Sequence, residues 1–313
     1  MGRGSDVVIK TANLTKVFKV GFRGKSVAAL KGLNLEVNEG EIFGFLGPNG
    51  AGKTNTIKIL MGLIYPTSGK AWILNKEAAD VEVKNRIGFL PEQPYFYDYL
   101  TSREFLRFYG QLFGLERDEL RTRMNNLLTL VGLEDAADLQ LRKFSKGMLQ
   151  RIGIAQALIN HPDLIVLDEP MSGLDPIGRK EIRDIILRLK EDGKTVFFST
   201  HIIPDVEMIC DRVGILMKGE LVNVGRLDEI MDAKVKYVEI IVRNVSKEML
   251  AHMEAMGSSV YEAWDHVSIN VKDEDGVDSI LQMIKDGKGR VVSVIPQRET
   301  LEAHFMKKIG GTS

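Results

Sequence analysis

The deciding stretch is Gly47-Pro48-Asn49-Gly50-Ala51-Gly52-Lys53-Thr54, which fits G-x-x-x-x-G-K-[ST] at every fixed position. Residues 41–46 before it predict a buried strand, and residues 55–61 after it predict a helix with one apolar face. A strand, a glycine-rich loop and a helix form the context in which this pattern binds phosphate. Glycines let successive backbone N–H groups point at a phosphate, and the helix N-terminus adds the positive end of its dipole.

Side chains of the same loop extend this prediction. We expect Lys53 to reach the β- and γ-phosphates of a nucleotide and the Thr54 hydroxyl to bind a magnesium ion. The predicted nucleotide contacts in this segment are Asn49, Gly50, Ala51, Gly52, Lys53, Thr54 and Asn55.

Charge and composition narrow the classes of partner and compartment. Among 313 residues, 42 lysines and arginines balance 43 aspartates and glutamates, for a net charge of −1, which predicts no nucleic-acid surface. The single Cys210 rules out an internal disulfide and fits a reducing compartment. No run approaches the roughly 20 apolar residues that span a bilayer, and the N-terminus lacks the apolar core of a signal peptide. We therefore expect a soluble, cytoplasmic protein; if it works at a membrane, another polypeptide must provide the anchor.

Two carboxylates end the apolar run Leu164–Leu167, which predicts a central parallel strand buried on both faces. They are Asp168 and Glu169, and a buried carboxylate pair is costly unless a cation matches it. We expect Asp168 to hold magnesium through water and Glu169 to orient or deprotonate a hydrolytic water.

Polar side chains also follow two other predicted strands. His201 ends the strand 194–201; a lone histidine is commonly structural, but ligands bind at the carboxyl ends of such strands, which favours a functional histidine. The neighbours Glu92 and Gln93 follow the strand 86–90, where an acid and an amide can reach the same ion or an attacking water.

Three further stretches each allow two interpretations. Phe18, in a polar loop between N-terminal strands, either stacks on an adenine ring or covers a hydrophobic edge. Aromatic residues are dense at positions 95–113, where they form either a contact surface or the core of a helical segment. Ser145 and Gly147 begin a predicted helix, either as a phosphate site or as an ordinary helix cap.

With these motifs assembled, the chain resembles the nucleotide-binding subunit of ATP-binding cassette (ABC) transporters across residues 7–230. The motifs follow the family's order: the phosphate loop 47–54, the signature 144–148, the Walker B strand 164–169, the D-loop 172–175 and the switch histidine His201. The resemblance implies an α/β P-loop NTPase core with a mixed sheet, an antiparallel β subdomain and a helical signature subdomain at about residues 95–160.

The resemblance also assigns roles to individual residues. It implies ATP and Mg²⁺ as cofactors, with Lys53, Glu169 and His201 as the catalytic set. Phe18 resembles the adenine-stacking aromatic. Ser145 and Gly147 become the pair that closes on the γ-phosphate of ATP held by a second subunit, so that each site needs two chains.

Three departures from the family's common pattern qualify this assignment. Glu92 stands where a glutamine is usual, with Gln93 beside it, which leaves open which of the two reaches the metal. Lys146 and Met148 form a signature variant that is associated with exporters whose permease is a separate chain. Asn55 replaces a usual serine or threonine, which is expected to weaken an α-phosphate contact while the catalytic set stays complete.

A composition change after residue 230 predicts a second domain. We expect an ABC ATP-binding domain at residues 1–230 and a small α+β domain at residues 231–313. The predicted order in the second is βαββαβ followed by a final helix at residues 299–308. It looks like the small C-terminal domain of exporter-type ATPases, and no ligand constellation within it predicts catalysis.

The resemblance implies an ATPase motor subunit that hydrolyses Mg-ATP between two cassettes and drives export through a separate transmembrane permease. It would act as a homodimer, peripheral at the cytoplasmic face of the cell membrane. The alternative is a soluble ABC ATPase that acts on ribosomes or DNA. Such relatives carry two cassettes or a long coiled-coil insertion, whereas this sequence shows one cassette and no basic patch. The transported substrate cannot be read here, because the permease would select it.

Overall fold

The computed structural model describes residues 6–20, 25–230, 235–272 and 274–298. Contacts divide the chain into two compact units, Met1–Leu227 and Asp228–Ser313. The helix that the sequence predicts at residues 299–308 lies outside the described residues. No helix among the described residues is long and apolar enough to cross a bilayer.

The first unit alternates strands and helices after an initial antiparallel hairpin. Its strands are β1 (Val7–Val20), β2 (Lys25–Asn38), β3 (Ile42–Leu46), β4 (Ser68–Ile73), β5 (Lys76–Glu77), β6 (Ile87–Leu90), β7 (Leu164–Asp168), β8 (Thr195–Thr200), β9 (Arg212–Met217) and β10 (Glu220–Arg226). Its helices are α1 (Lys53–Leu60), α2 (Ser102–Leu112), α3 (Arg117–Leu130), α4 (Lys146–Ala157), α5 (Pro176–Glu191) and α6 (Ile203–Ile209), with the short α7 (Leu227–Ile230) at the boundary.

A six-stranded sheet in the order β10-β9-β3-β8-β7-β6 forms the centre of this unit. Its pairs β9–β3, β3–β8, β8–β7 and β7–β6 are parallel, and β10 joins the edge antiparallel. Every residue of β3, β7 and β8 is buried, as expected for strands covered on both faces. Because the strands are parallel, the loops that follow β3, β6, β7 and β8 meet at one edge of the sheet.

An antiparallel sheet in the order β2-β1-β4-β5 packs beside one face of the central sheet. Their shared core contains Phe43 and Phe197, whose rings stack with centroids 5.8 Å apart. The predicted loop at Phe18 is wrong: the residue lies inside β1 and pairs with Val27 of β2. Register shifts between β1 and β2 accommodate the irregular polar positions from which the sequence pattern predicted a loop between two strands.

The aromatic segment after β6 divides between core and surface. Phe105 is fully buried, and Phe96 and Tyr109 pack against the same helical core. Tyr95 and Tyr99 are instead exposed, at 83% and 61%. The helical-core interpretation therefore holds for the buried rings, and for the exposed rings the contact surface stays a prediction.

The second unit has the predicted βαββαβ order. Its elements are β11 (Val235–Arg243), α8 (Lys247–Ala255), β12 (Ser259–Glu262), β13 (Val267–Val271), α9 (Glu274–Asp286) and β14 (Arg290–Arg298). The four strands form an antiparallel sheet in the order β12-β13-β11-β14. Its own core joins Ile240 and Ile269 of the sheet to Met253 and Ile284 of the helices. Both parts of the predicted fold class, the P-loop α/β core and the small α+β unit, are confirmed.

Candidate nucleotide site

The phosphate loop joins β3 to α1, and close contacts require glycine at positions 47 and 52. A Cβ on Gly47 would lie 2.3 Å from the carbonyl oxygen of Leu216, and Gly52 caps α1 at φ +114°. The helix begins at Lys53, two residues earlier than the sequence pattern predicted. Lys53 and Thr54 therefore occupy its first turn, where backbone N–H groups are free to bind an anion.

Lys53 turns back over the loop. Its Nζ donates to the carbonyl oxygens of Gly47 at 2.6 Å and of Pro48 at 3.3 Å. It also lies 3.0 Å from Glu169 Oε1, and the Lys53 side chain is only 6% exposed. The ammonium thus connects the phosphate loop to the carboxylate that follows β7.

Asp168 ends β7 within a chain of hydrogen bonds to the neighbouring strand. Ser199 Oγ of β8 donates to Asp168 Oδ1 at 2.6 Å and accepts from the backbone N–H of Glu169 at 2.9 Å. The Thr54 hydroxyl makes a long contact of 3.4 Å to the same Asp168 oxygen. Sequence reasoning missed Ser199; its place two residues before His201, on a strand ending at the same edge, was the signal available.

The surroundings of Asp168 make its ionised form less favourable than that of an exposed carboxyl. Burial raises the pKa of Asp168, and hydrogen bonds from Ser199 and Thr54 oppose that rise. The charges of Glu92 and Glu169 raise the pKa further. A cation bound here would relieve both the desolvation and the repulsion.

Glu169 stands between Lys53 and His201. Its Oε2 lies 2.9 Å from His201 Nδ1. Its Oε1, although 3.0 Å from Lys53 Nζ, is buried and lacks a hydrogen bond with suitable angles among the described residues. Glu169 also adopts φ +51°, a left-handed backbone that costs energy for a residue with a Cβ. The fold therefore holds this carboxylate in one orientation, with one oxygen available as an acceptor.

A cleft of about 180 Å³ opens over the phosphate loop. It is lined by Asn49, Gly50, Ala51, Gly52, Lys53, Thr54, Asn55, Glu92 and Glu169. The structure thus brings the predicted loop residues together with Glu92 and Glu169. Gln93, although adjacent in sequence to Glu92, is exposed and does not line the cleft.

Five other predicted residues are not among those that line this cleft. Asp168 and His201 adjoin it through Thr54 and Glu169, whereas Ser145, Gly147 and Phe18 have no such contact with the lining. Ser145 caps α4, accepting from the Met148 N–H at 3.2 Å, and a Cβ on Gly147 would meet only Ser145 Oγ, at 4.0 Å. Neither residue lines the cleft of its own chain. Phe18 is 37% exposed with Lys16 Nζ 5.0 Å from its ring centroid, and it too lies outside the lining.

The donor set fits magnesium delivered with a nucleotide. Within the described ranges, no group of three or more His, Cys, Asp or Glu residues is arranged to hold a metal ion. Mg²⁺ commonly uses one or two protein oxygens and completes its shell with water and phosphate. The Thr54 hydroxyl and the Asp168 carboxylate, in contact at the mouth of the phosphate loop, suit that mode.

Comparison with known proteins extends this geometry to a family. Residues 30–172 match the family described as ABC transporter. An uncharacterised ABC transporter ATP-binding protein of Nostoc sp. (strain PCC 7120) is 46% identical over 305 residues, covering 96% of this chain and 90% of that protein. The bacitracin transport ATP-binding protein BcrA of Bacillus licheniformis is 37% identical over 308 residues, covering 97% of this chain and 98% of BcrA.

Solved structures agree with the sequence relatives. A dimeric ATP-binding cassette in a post-hydrolysis state, bound to ADP and Pi, superposes with a TM-score of 0.64 at 31% identity, covering 70% of this chain and 98% of that chain. Similarity of this extent, in sequence and in fold, leads to one conclusion: the chain belongs to the ABC transporter ATP-binding proteins and is an ATPase of that family.

Proposed function

We propose that this ATPase is the motor subunit of an exporter whose transmembrane permease is a separate chain. The observation that carries the motor assignment is the meeting of Lys53, Asp168, Glu169 and His201 at the carboxyl edge of the central sheet. Export is supported by two relatives that are named for bacitracin transport and for linearmycin resistance. The Lys146 and Met148 variant of the signature supports the same direction of transport.

The chain's own residues suggest how hydrolysis would proceed. Lys53 would exchange its Pro48 and Glu169 contacts for the β- and γ-phosphate oxygens of ATP, since an ammonium offers three donors. Bound with ATP, Mg²⁺ would neutralise charge that develops on the phosphates. Thr54 and Asp168 would hold that ion, while Ser199 fixes the carboxylate of Asp168.

Glu169 is the proposed base or orienting group for the attacking water. Its Oε1 is buried and lacks a well-aligned donor, so it can accept a hydrogen bond from water once Lys53 has turned to phosphate. The 2.9 Å contact from His201 to Oε2 keeps the other oxygen occupied and sets the direction of the carboxylate.

Glu92 is the proposed metal-sensing residue of the loop after β6. It lines the cleft and its charge acts on Asp168, whereas Gln93 does neither. The chain would thus use a carboxylate where an amide is usual in the family.

A second copy of the chain would complete each site. Ser145 and Gly147 lie outside the cleft of their own chain, and the open space at Gly147 leaves its backbone accessible to a phosphate from another subunit. The dimeric state of a structural relative supports a homodimer. Phe18 keeps its proposed place beside the adenine.

The exposed rings after β6 are the proposed contact with the permease. Tyr97 makes edge contacts with Tyr95, Tyr99 and Phe108, with centroids 6.0, 6.2 and 5.5 Å apart, so these rings form one aromatic surface. Aromatic surfaces of this kind are typical of protein interfaces. The surface begins three residues after Glu92, so a change at the metal would be transmitted along a short loop. Docking here would place the subunit at the cytoplasmic face of the membrane.

A trapping experiment tests the motor assignment. Glu169→Gln should bind radiolabelled ATP in the presence of Mg²⁺ and retain it uncleaved on a filter, while the wild-type chain releases phosphate. The exposed Glu191→Gln, at the end of α5, is the matched control and should hydrolyse ATP normally. Hydrolysis by Glu169→Gln at the wild-type rate would remove Glu169 from the mechanism.

The exporter assignment predicts a multi-span membrane protein encoded by a neighbouring gene, and co-expression with such a protein tests it. The two chains should co-purify from detergent, and the membrane protein should change the ATPase rate. Co-sedimentation of the Glu169→Gln variant with ribosomes or DNA, without membrane association, would instead favour the soluble class of ABC ATPase.

A further inference from the structure

A buried ion pair joins the helix that follows the D-loop to the helix that follows the switch histidine. Arg183 Nη1 of α5 donates to Asp205 Oδ1 of α6 at 2.7 Å. The two side chains are 15% and 2% exposed. Both ends of this contact therefore belong to elements that begin at the proposed site: α5 is capped by Asp175, and α6 starts two residues after His201.

Among the buried residues of the short helix α6, Asp205 is the charged one. Ile202, at the N-cap position before the helix, provides no side-chain cap, and the other buried residues are Val206 and Ile209. Val206 packs toward Gly44 of β3, with its methyl groups 3.3 and 3.4 Å from the position that a Cβ would take there. Apolar packing of this kind is non-directional, whereas a charged hydrogen bond has a preferred geometry. The Arg183 contact therefore fixes the rotation of α6 about its axis.

The carboxylate of Asp205 depends on Arg183. Its second oxygen, Oδ2, is buried and has no hydrogen-bond partner among the described residues. A buried carboxylate in this condition destabilises the fold once its cation is removed. The presence of a carboxylate at this buried position is therefore explained by the orientation that the ion pair imposes on α6, and not by packing.

The orientation of α6 matters because of the short connection to His201. The strand β8 ends at Thr200 and α6 begins at Ile203, so only two residues join them. Rotation of the first turn of α6 would displace the His201 ring from Glu169 Oε2, which lies 2.9 Å from Nδ1. Asp205 lies four residues after His201, about one helical turn along.

We propose that Arg183 and Asp205 are positioning residues, which hold α6 and through it the His201 ring in contact with Glu169. The inference rests on the proposed part of His201 in hydrolysis. It adds a link inside one chain between the D-loop helix and the switch histidine, so that movement of α5 would be felt at Glu169.

A double-mutant cycle between Asp205 and His201 tests this link. Asp205→Asn keeps the side-chain shape and removes the charge; we expect kcat for ATP to fall about tenfold with KM within twofold, because a displacement near 1 Å is costly in a catalytic array. In the His201→Ala background the same substitution should have no further effect on kcat. An equal loss in both backgrounds would overturn the proposal, since a purely structural defect adds to the loss of the histidine.

Further variants separate the proposal from the function on which it rests. Lys190→Gln breaks another ion pair of α5, to Asp211 beyond the far end of α6, and should leave kcat within twofold. Arg183→Lys keeps the charge and should retain most of the kcat that Arg183→Gln loses. This comparison tests the ion pair even if Asp205→Asn does not fold. Equal losses in the two Arg183 variants would overturn the ion-pair argument. Wild-type kcat in His201→Ala would instead remove the histidine from the proposed mechanism.

Discussion

Lys53 Nζ lies 3.0 Å from Glu169 Oε1, and both side chains are almost completely buried. Burying either charge alone would cost much free energy, because the desolvation of an ammonium or a carboxylate is offset only by a partner of opposite charge. The groups proposed to bind phosphate and to orient water thus stabilise each other within the fold. ATP binding would break this ion pair, which costs free energy. New contacts between Lys53 and the phosphates would offset that cost.

The pair predicts a stability coupling that does not depend on catalysis. Lys53→Met leaves Glu169 as a buried charge without its cation and should lower the free energy of unfolding by about 3 kcal/mol. In the Glu169→Gln background the same substitution should cost about 1 kcal/mol or less, because no charge is left uncompensated. Urea denaturation without nucleotide measures both values. Equal costs in the two backgrounds would mean that the ion pair contributes nothing.

The position of Ser145 predicts ATP-dependent dimerisation. The Glu169→Gln variant should form a dimer with Mg-ATP, and adding Ser145→Arg should return it to the nucleotide-free mass in light scattering. Arginine also removes a helix cap worth about 1 kcal/mol, so the matched control is Ser246→Arg, which removes the equivalent cap of α8. A Glu169→Gln protein that stays monomeric with ATP would contradict the shared site.

Local patterns were sufficient to predict the phosphate loop and the strand-end carboxylates. The loop requires short-range glycine geometry, and the carboxyl ends of parallel strands share one edge, so the sequence alone predicts that Lys53 and Asp168 lie close together. The βαββαβ order of the second unit followed from strand and helix periodicity in the same way.

Long-range pairing accounts for what the sequence could not predict. The partner β2 keeps Phe18 in a strand, and the shared helical core buries Phe105 while Tyr95 remains exposed. Ser199 and the Arg183–Asp205 pair also depend on which elements lie side by side, which no local pattern specifies.

Metal affinity should distinguish Glu92 from Gln93. Manganese binding with ADP, followed by electron paramagnetic resonance, should weaken in Glu92→Gln and remain unchanged in Gln93→Ala. The raised pKa of Asp168 predicts that affinity is lost as pH falls through that pKa, because the ion competes with a proton. Removing the charge of Glu92 should lower the pKa of Asp168 and move this loss to lower pH. Weakening by Gln93→Ala alone would reverse the assignment.

The second unit should be dispensable for nucleotide binding. Its core residues, such as Ile240 and Met253, form a cluster of their own, and the residues described as lining the cleft at the phosphate loop, 49–55 with Glu92 and Glu169, belong to the first unit. A chain ending at Ala233 keeps the buried Leu227 and Ile230 and should bind ATP with unchanged affinity by calorimetry. Circular dichroism checks that it is folded. Lost affinity in a folded, truncated chain would show that the second unit contributes to the site.

The exposed rings after β6 predict the permease contact, and the buried ring beside them supplies the control. Tyr95→Ala with Tyr99→Ala removes two exposed anchors, each worth about 2 kcal/mol at an interface hot spot, so co-purification with the permease should be lost while basal ATPase activity and stability persist. Phe96→Ala should instead destabilise the fold, because it removes a core ring and no exposed anchor. Its ring lies 5.6 Å from Phe105 in the helical core, so its removal should cost about 3 kcal/mol of stability.

A second control separates docking from general loss of exposed aromatic surface. Tyr65 is also exposed, at 73%, but lies after α1 and outside this aromatic surface, so Tyr65→Ala should leave co-purification intact. If the Tyr95 and Tyr99 double variant is stable and still co-purifies fully, the permease binds elsewhere. If Tyr65→Ala reduces co-purification equally, the interface extends beyond the surface that begins three residues after Glu92. The short loop from Glu92 would then no longer explain how a change at the metal reaches the permease.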